Sequence, residues 1–84
     1  MYYVYILRSI ECPEQTYVGF SADLKKRIEQ HNEGGCSHTA KFKPWKLIWY
    51  GAFPDKMRAL DFEKYLKSHS GKAFASKRLI ERPL

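Results

Sequence analysis

Residues 2–20, YYVYILRSIECPEQTYVGF, hold two aromatic and aliphatic runs around a polar stretch that contains Cys12, Pro13 and Glu14. In the first run both alternating sets are apolar or aromatic: Tyr2, Val4 and Ile6 on one side, Tyr3, Tyr5 and Leu7 on the other. A strand of this kind is buried on both faces, so it is expected at the centre of a sheet. The second run, Thr16 to Phe20, is β-branched and aromatic, and the polar stretch suits a loop that returns the chain antiparallel. Residues 2–20 therefore read as a β-hairpin. Gly19 weakens its strand unless it marks a bulge or the close approach of another group. The tyrosines bring hydroxyls that packing alone does not require.

Downstream, SADLKKRIEQHNEGG (21–35) predicts a helix of about three turns, with Ser21 as its cap, Asp23 in the first turn, and Asn32, Gly34 and Gly35 as the stop. Residues 35–44 lack either periodicity and read as a basic loop before a third strand, WKLIWYGAF (45–53). A second helix is expected from Pro54 or Asp55 through PDKMRALDFEKYLKS, ended by Gly71. A last short helix follows in KAFASKRLIERPL and halts at Pro83. The expected fold class is α/β: a small three-stranded antiparallel sheet flanked by helices, in the order β-β-α-β-α-α.

Eighty-four residues suffice for one core that buries about 60–65% of the unfolded surface, so residues 1–84 are expected to form a single domain. Hydrophobic residues make up 44% of the chain, enough to offset the ordering entropy of folding. Fifteen Lys and Arg against nine Asp and Glu leave a net charge of +6, which favours a polyanionic partner. Two cysteines neither frame a disulfide scaffold nor complete a zinc site, and reduced thiols are the simplest reading. A zinc cluster of Cys12, His31, Cys36 and His38 matches no common finger spacing. Without a basic leader or a long apolar run, neither a secretory signal nor a membrane span is expected, which points to the cytoplasm.

Charged residues fall where helical periodicity expects apolar ones. Leu24 and Ile28 define the buried stripe of the first helix, and Arg27 and His31 fall within or beside it, pointing towards the sheet. Each could instead be an edge side chain or a hydrogen-bonded, half-buried one. In the second helix Glu63 lies at the edge of the stripe Ala59, Phe62 and Leu66. A buried carboxylate needs a cation, from Arg27, a divalent metal or a nearby Arg or Lys in a structural ion pair. Tyr5, Tyr17, Arg27, His31 and Glu63 together suit phosphodiester cleavage, which needs a polarised water, a cation on the non-bridging oxygens and stabilisation of the leaving oxygen.

YVY at 3–5, YVG at 17–19, DLKKRIEQHN, KPWKLIWY and RALDFEKYLKS resemble the GIY-YIG nuclease superfamily across nearly the whole chain, especially its small single-domain members. The N-terminal nuclease domain of the superfamily's excision-repair branch is similar too. The resemblance implies a divalent-metal-dependent DNA endonuclease, structure-selective or nonspecific, that leaves a 5′ phosphate in repair or recombination. It also implies roles: Tyr5 activates or positions the attacking water, Arg27 holds the scissile phosphate, Tyr17 lines the site, His31 assists and Glu63 is the single metal-binding carboxylate. An unperturbed Tyr with a pKa of about 10 is roughly one part in a thousand ionised at pH 7. Either Arg27 and a cation favour the phenolate, or His31 takes the proton or shares the water. One carboxylate implies one Mg²⁺, with Mn²⁺ able to substitute, and no organic cofactor. Tyr3 stands where the first motif usually has glycine, and GKAFASKRLI lacks the polar residue of some members, so weak or partner-dependent activity is expected. Family members often borrow targeting from fused domains or partner proteins. The alternative is a noncatalytic nucleic-acid-binding or scaffold protein that keeps the fold.

For substrate contact the candidates are Lys26, Lys41, Lys43, Lys46 and Arg58. In HTAKFKPWK the basic residues alternate with Phe42 and Trp45, a pattern suited to phosphates and exposed bases, although Trp45 could equally belong to the core. No helix carries side chains dedicated to base edges.

Overall fold

The computed structural model describes residues 1–35 and 37–80. The elements are β1 (Tyr2–Ser9), β2 (Thr16–Ser21), α1 (Leu24–Asn32), α2 (Ser37–Ala40), β3 (Trp45–Phe53), α3 (Lys56–Lys67) and α4 (His69–Arg78). Apart from the single turn of α2, the expected order β-β-α-β-α-α holds. The sheet is antiparallel in the order β2-β1-β3, with Tyr5 opposite Gly19 on one side and Tyr50 on the other. The strand with apolar side chains on both faces is thus the central one.

Two cores result, one on each face of β1. Val4 and Ile6 pack with Ala59, Leu66, Ala75 and Ile80 from α3, α4 and the residues after α4. Tyr5 and Leu7 pack with Trp45, Tyr17, Leu24 and Ile28 on the side of α1. Alternation along a strand divides the side chains between the faces. A bulge between Ile6 and Leu7 shifts the pairing with β3.

Local hydrogen bonding revises several boundaries. Asp23, not Ser21, caps α1: its side chain accepts from the Lys26 amide, while Ser21 Oγ exchanges hydrogen bonds with the Asp23 backbone. Gly34, at φ 81°, follows the Glu33 C-cap, a conformation that suits glycine. Asp55 caps α3, accepting from the Met57 amide. Gly71 does not end that helix. Ser68 closes α3 and caps α4, and Gly71 is buried inside α4, where a Cβ would overlap the Tyr65 carbonyl. Glycine there lets the two helices meet closely at their junction. Pro83, expected to halt the last helix, lies outside the described residues, and so does Cys36.

Candidate active site

β1 presents Tyr5 towards α1, and α1 returns His31 from its last turn. Tyr5 and His31 are each 1% exposed, and the Tyr5 hydroxyl shares a 2.9 Å hydrogen bond with His31 Nε2. His31 Nδ1 shares a 2.7 Å hydrogen bond with Thr39 Oγ1, also buried. The Thr39 carbonyl accepts from Trp45 Nε1 at 2.8 Å, and the Asn32 side chain accepts from the Trp45 amide and donates to its carbonyl. Buried polar groups in such a chain hold one another in place because each would be costly alone.

Gly19 has a definite role here. A Cβ at that position would run into the Tyr5 hydroxyl and ring, so a bare backbone lets the phenol lie across β2. Tyr17, diagonal to Tyr5 across the pair, is half-buried at the sheet edge with its ring 5.0 Å from that of His31 and 6.4 Å from that of Tyr5. The two phenols and the imidazole therefore form one cluster, buried at Tyr5 and open at Tyr17.

Burial lowers the pKa of His31 below 6.5, and the Arg27 guanidinium one turn earlier adds to the effect. The imidazole is accordingly neutral at pH 7, with one ring nitrogen donating and the other accepting. Arg27 itself is exposed, so the inward placement expected for it is corrected: it stands at the rim near His31. The mean angular position of a side chain does not dictate burial when a long, flexible stem can carry its charged tip to water.

Glu63 is on α3, across the sheet from Tyr5. Its side chain is 20% exposed, and Oε2 lies 3.2 Å from Lys67 Nζ, so its cation is a lysine of its own helix. Its salt bridge thus lies on the other face of the sheet from the tyrosine–histidine cluster. The link is spatial: Lys67, one turn beyond Glu63, lines a cleft with Tyr17. Among the described residues no three His, Cys, Asp or Glu side chains gather as a metal cage. Glu63 instead offers one hard oxygen donor beside solvent, a donor set that suits Mg²⁺, which keeps several waters and takes one or two carboxylates plus substrate phosphates.

Lys26, Lys41, Lys43, Lys46 and Arg58 are all exposed, and Arg58 lies 3.9 Å from Asp55. Trp45 is 5% exposed in the core, which removes it as a base-stacking candidate, and Phe42 packs against the same core under the Lys41 ammonium. Cys12 is a free thiol, while Cys36 and the His38 side chain, with it the fourfold zinc reading, lie outside the described residues. Sequence reading misses Thr39 and the bracketing role of Asn32. The first sits where no periodicity exists, and the second reads only as a helix stop.

A family model described as the GIY-YIG catalytic domain matches residues 1–78. The structure-specific endonuclease subunit SLX1 of Malassezia globosa is 38% identical over 78 residues, covering 86% of this chain and 17% of that protein. A UPF0213 protein of Clostridium perfringens is 40% identical over 68 residues, covering 80% and 71%. The solution NMR structure of the UPF0213 protein BH0048 from Bacillus halodurans superposes with a TM-score of 0.55 at 32% identity, covering 92% of this chain and 84% of that one. The chain thus spans about a sixth of the length of the Malassezia relative. No helix among the described residues is long and apolar enough to cross a membrane.

Proposed function

The chain belongs to the GIY-YIG catalytic-domain family, and from that premise we propose that it is a divalent-metal-dependent DNA endonuclease. The observation that carries the reading is the buried Tyr5–His31–Thr39 chain emerging at Tyr17. A pure binding protein has no use for a neutral imidazole held behind a phenol, since buried polar groups contribute nothing to phosphate attraction.

Tyr5 and His31 act as a proton relay. As a water attacks phosphorus, its proton passes to the Tyr5 oxygen while the Tyr5 proton passes to His31 Nε2, and Nδ1–H donates to Thr39 Oγ1. No free phenolate is needed, which avoids the handicap of roughly 4 kcal/mol for ionising an ordinary tyrosine at pH 7. The relay requires His31 to be neutral, as its lowered pKa favours. Arg27, exposed at the rim, holds the scissile phosphate, and Tyr17 lines the site at its mouth. Glu63 would hold the single Mg²⁺ or Mn²⁺, displacing Lys67. Bound there, the metal supplies Lewis-acid stabilisation of the phosphoryl and leaving oxygens.

The substrate is DNA, recognised by structure or without preference, in repair or recombination. The similarity to a structure-specific endonuclease subunit of Malassezia globosa supports both the substrate class and a partner protein that supplies targeting. Lys26, Lys41, Lys43, Lys46 and Arg58 contribute phosphate attraction.

Incubation with duplex, single-stranded, flap and branched DNA plus Mg²⁺ or Mn²⁺ tests the proposal. Glu63→Ala and Tyr5→Phe should each reduce cleavage about a hundredfold or more while the circular dichroism spectrum is retained. Cleavage that survives both substitutions would sink the site assignment. Binding without cleavage of every form, even in excess Mn²⁺, would favour a noncatalytic nucleic-acid-binding scaffold.

A further inference from the structure

On the sheet face away from α1, a cleft of about 380 Å³ opens between β2 and the junction of α3 with α4. Its floor is apolar, made by Ile6, Val18, Leu66 and Ala75, and its rim carries Lys67, Lys72, Thr16 and Tyr17. Tyr17 belongs to both sites, since its ring also lies 5.0 Å from that of His31. Arg8 continues the row Ile6, Arg8 opposite Val18 and Thr16. Its Nε is buried and has no hydrogen-bond partner among the described residues. That atom is enclosed, but Arg8 as a whole is half-buried and its charge adds to the positive side of this face.

An apolar slot with cations at its mouth matches a ligand with a flat, weakly polar body and an anionic end. We infer that this cleft receives one unpaired nucleotide of the substrate strand, its base on the apolar floor and its phosphate at Lys72 on the rim. The inference rests on the endonuclease reading and deepens it by naming the substrate feature that is recognised. A paired base is stacked on its neighbours and cannot enter such a slot, whereas a base in a flap or at a branch is free to do so. The cleft therefore selects DNA with unpaired nucleotides and places the next phosphate beside Tyr17.

Fluorescence anisotropy in EDTA, with a labelled flap DNA and a fully paired duplex of the same length, separates binding from cleavage. The flap should bind about tenfold more tightly than the duplex, as a lodged base contributes. Thr16→Trp, which fills the cleft from an edge strand that tolerates aromatic residues, should bring the two affinities to parity and leave duplex binding unchanged. Lys72→Ala, at an exposed position, should weaken flap binding and lower the slope of log K against log salt by about one. Equal binding of flap and duplex by the wild-type chain, or a preference that survives both variants, overturns the role of the cleft alone. Failure to bind any DNA at low salt overturns the endonuclease reading with it.

Discussion

The two faces of β1 are built from neighbouring residues of one strand, yet they differ in kind. Towards α3 and α4, Val4 and Ile6 pack into an apolar cluster, and shape and burial stabilise that side. Towards α1, Tyr5 meets His31, which meets Thr39, so a chain of polar groups is enclosed with the hydrocarbon. An apolar core tolerates rearrangement at the cost of packing. A polar one is an all-or-none arrangement, because each member is the partner that makes its neighbour's burial tolerable. The Tyr5–His31–Thr39 chain lies on one face alone, so packing around Val4 can be altered without breaking that chain.

The largest effect expected from breaking this contrast is at Val4. Val4→Ala removes two buried methyl groups and leaves a cavity, costing about 2–3 kcal/mol in urea unfolding, with the cleavage rate unchanged at a temperature where the variant remains folded. Loss of activity in that folded variant would show that the faces are not separable. Next comes Thr39→Val, nearly isosteric, which leaves His31 Nδ1 without its present partner. It should cost about 1–3 kcal/mol and, unlike the first change, also move the acid limb of the pH–rate profile. A profile that does not shift would exclude Thr39 from the relay.

The smallest effect is the pH dependence of the wild-type chain. The folded pKa of His31 lies below its unfolded value of 6.5, so below pH 6.5 the unfolded chain takes up the proton first. Stability that is fully present above 6.5 is therefore lost as pH falls from 6.5 towards the folded pKa. Melting temperature measured across that interval should decline, and His31→Phe should remove that part of the decline. Val4→Ala should keep it, since the group responsible sits on the other face.

Much of the fold was legible because the hydrophobic pattern carries it. The double apolar alternation of residues 2–7 places β1 at the centre, and WKLIWYGAF coincides with β3 residue for residue. Boundaries were less legible where the competing signals are local hydrogen bonds: Ser21 and Asp23 are both good caps, and only the backbone geometry chooses Asp23. Gly71 reads as a stop by propensity, whereas close contact with the Tyr65 carbonyl is what requires it. At the site, helical angle turns His31 inward as expected but not Arg27, because the two side chains differ in what their tips can reach.

The sequence by itself determined the order of the elements other than α2, the two-sided central strand and the set of titratable residues, because each follows from period, propensity and residue chemistry along a short stretch. Only the tertiary structure decided which of those residues meet. Tyr5, His31 and Thr39 are brought into one hydrogen-bonded chain by the packing of α1 and α2 on the sheet, and Gly19 leaves room for the phenol. Glu63 stays on the opposite face with Lys67, which lines a cleft with Tyr17 at the sheet edge. Side-chain convergence depends on distances across the fold, and no period along the chain encodes them.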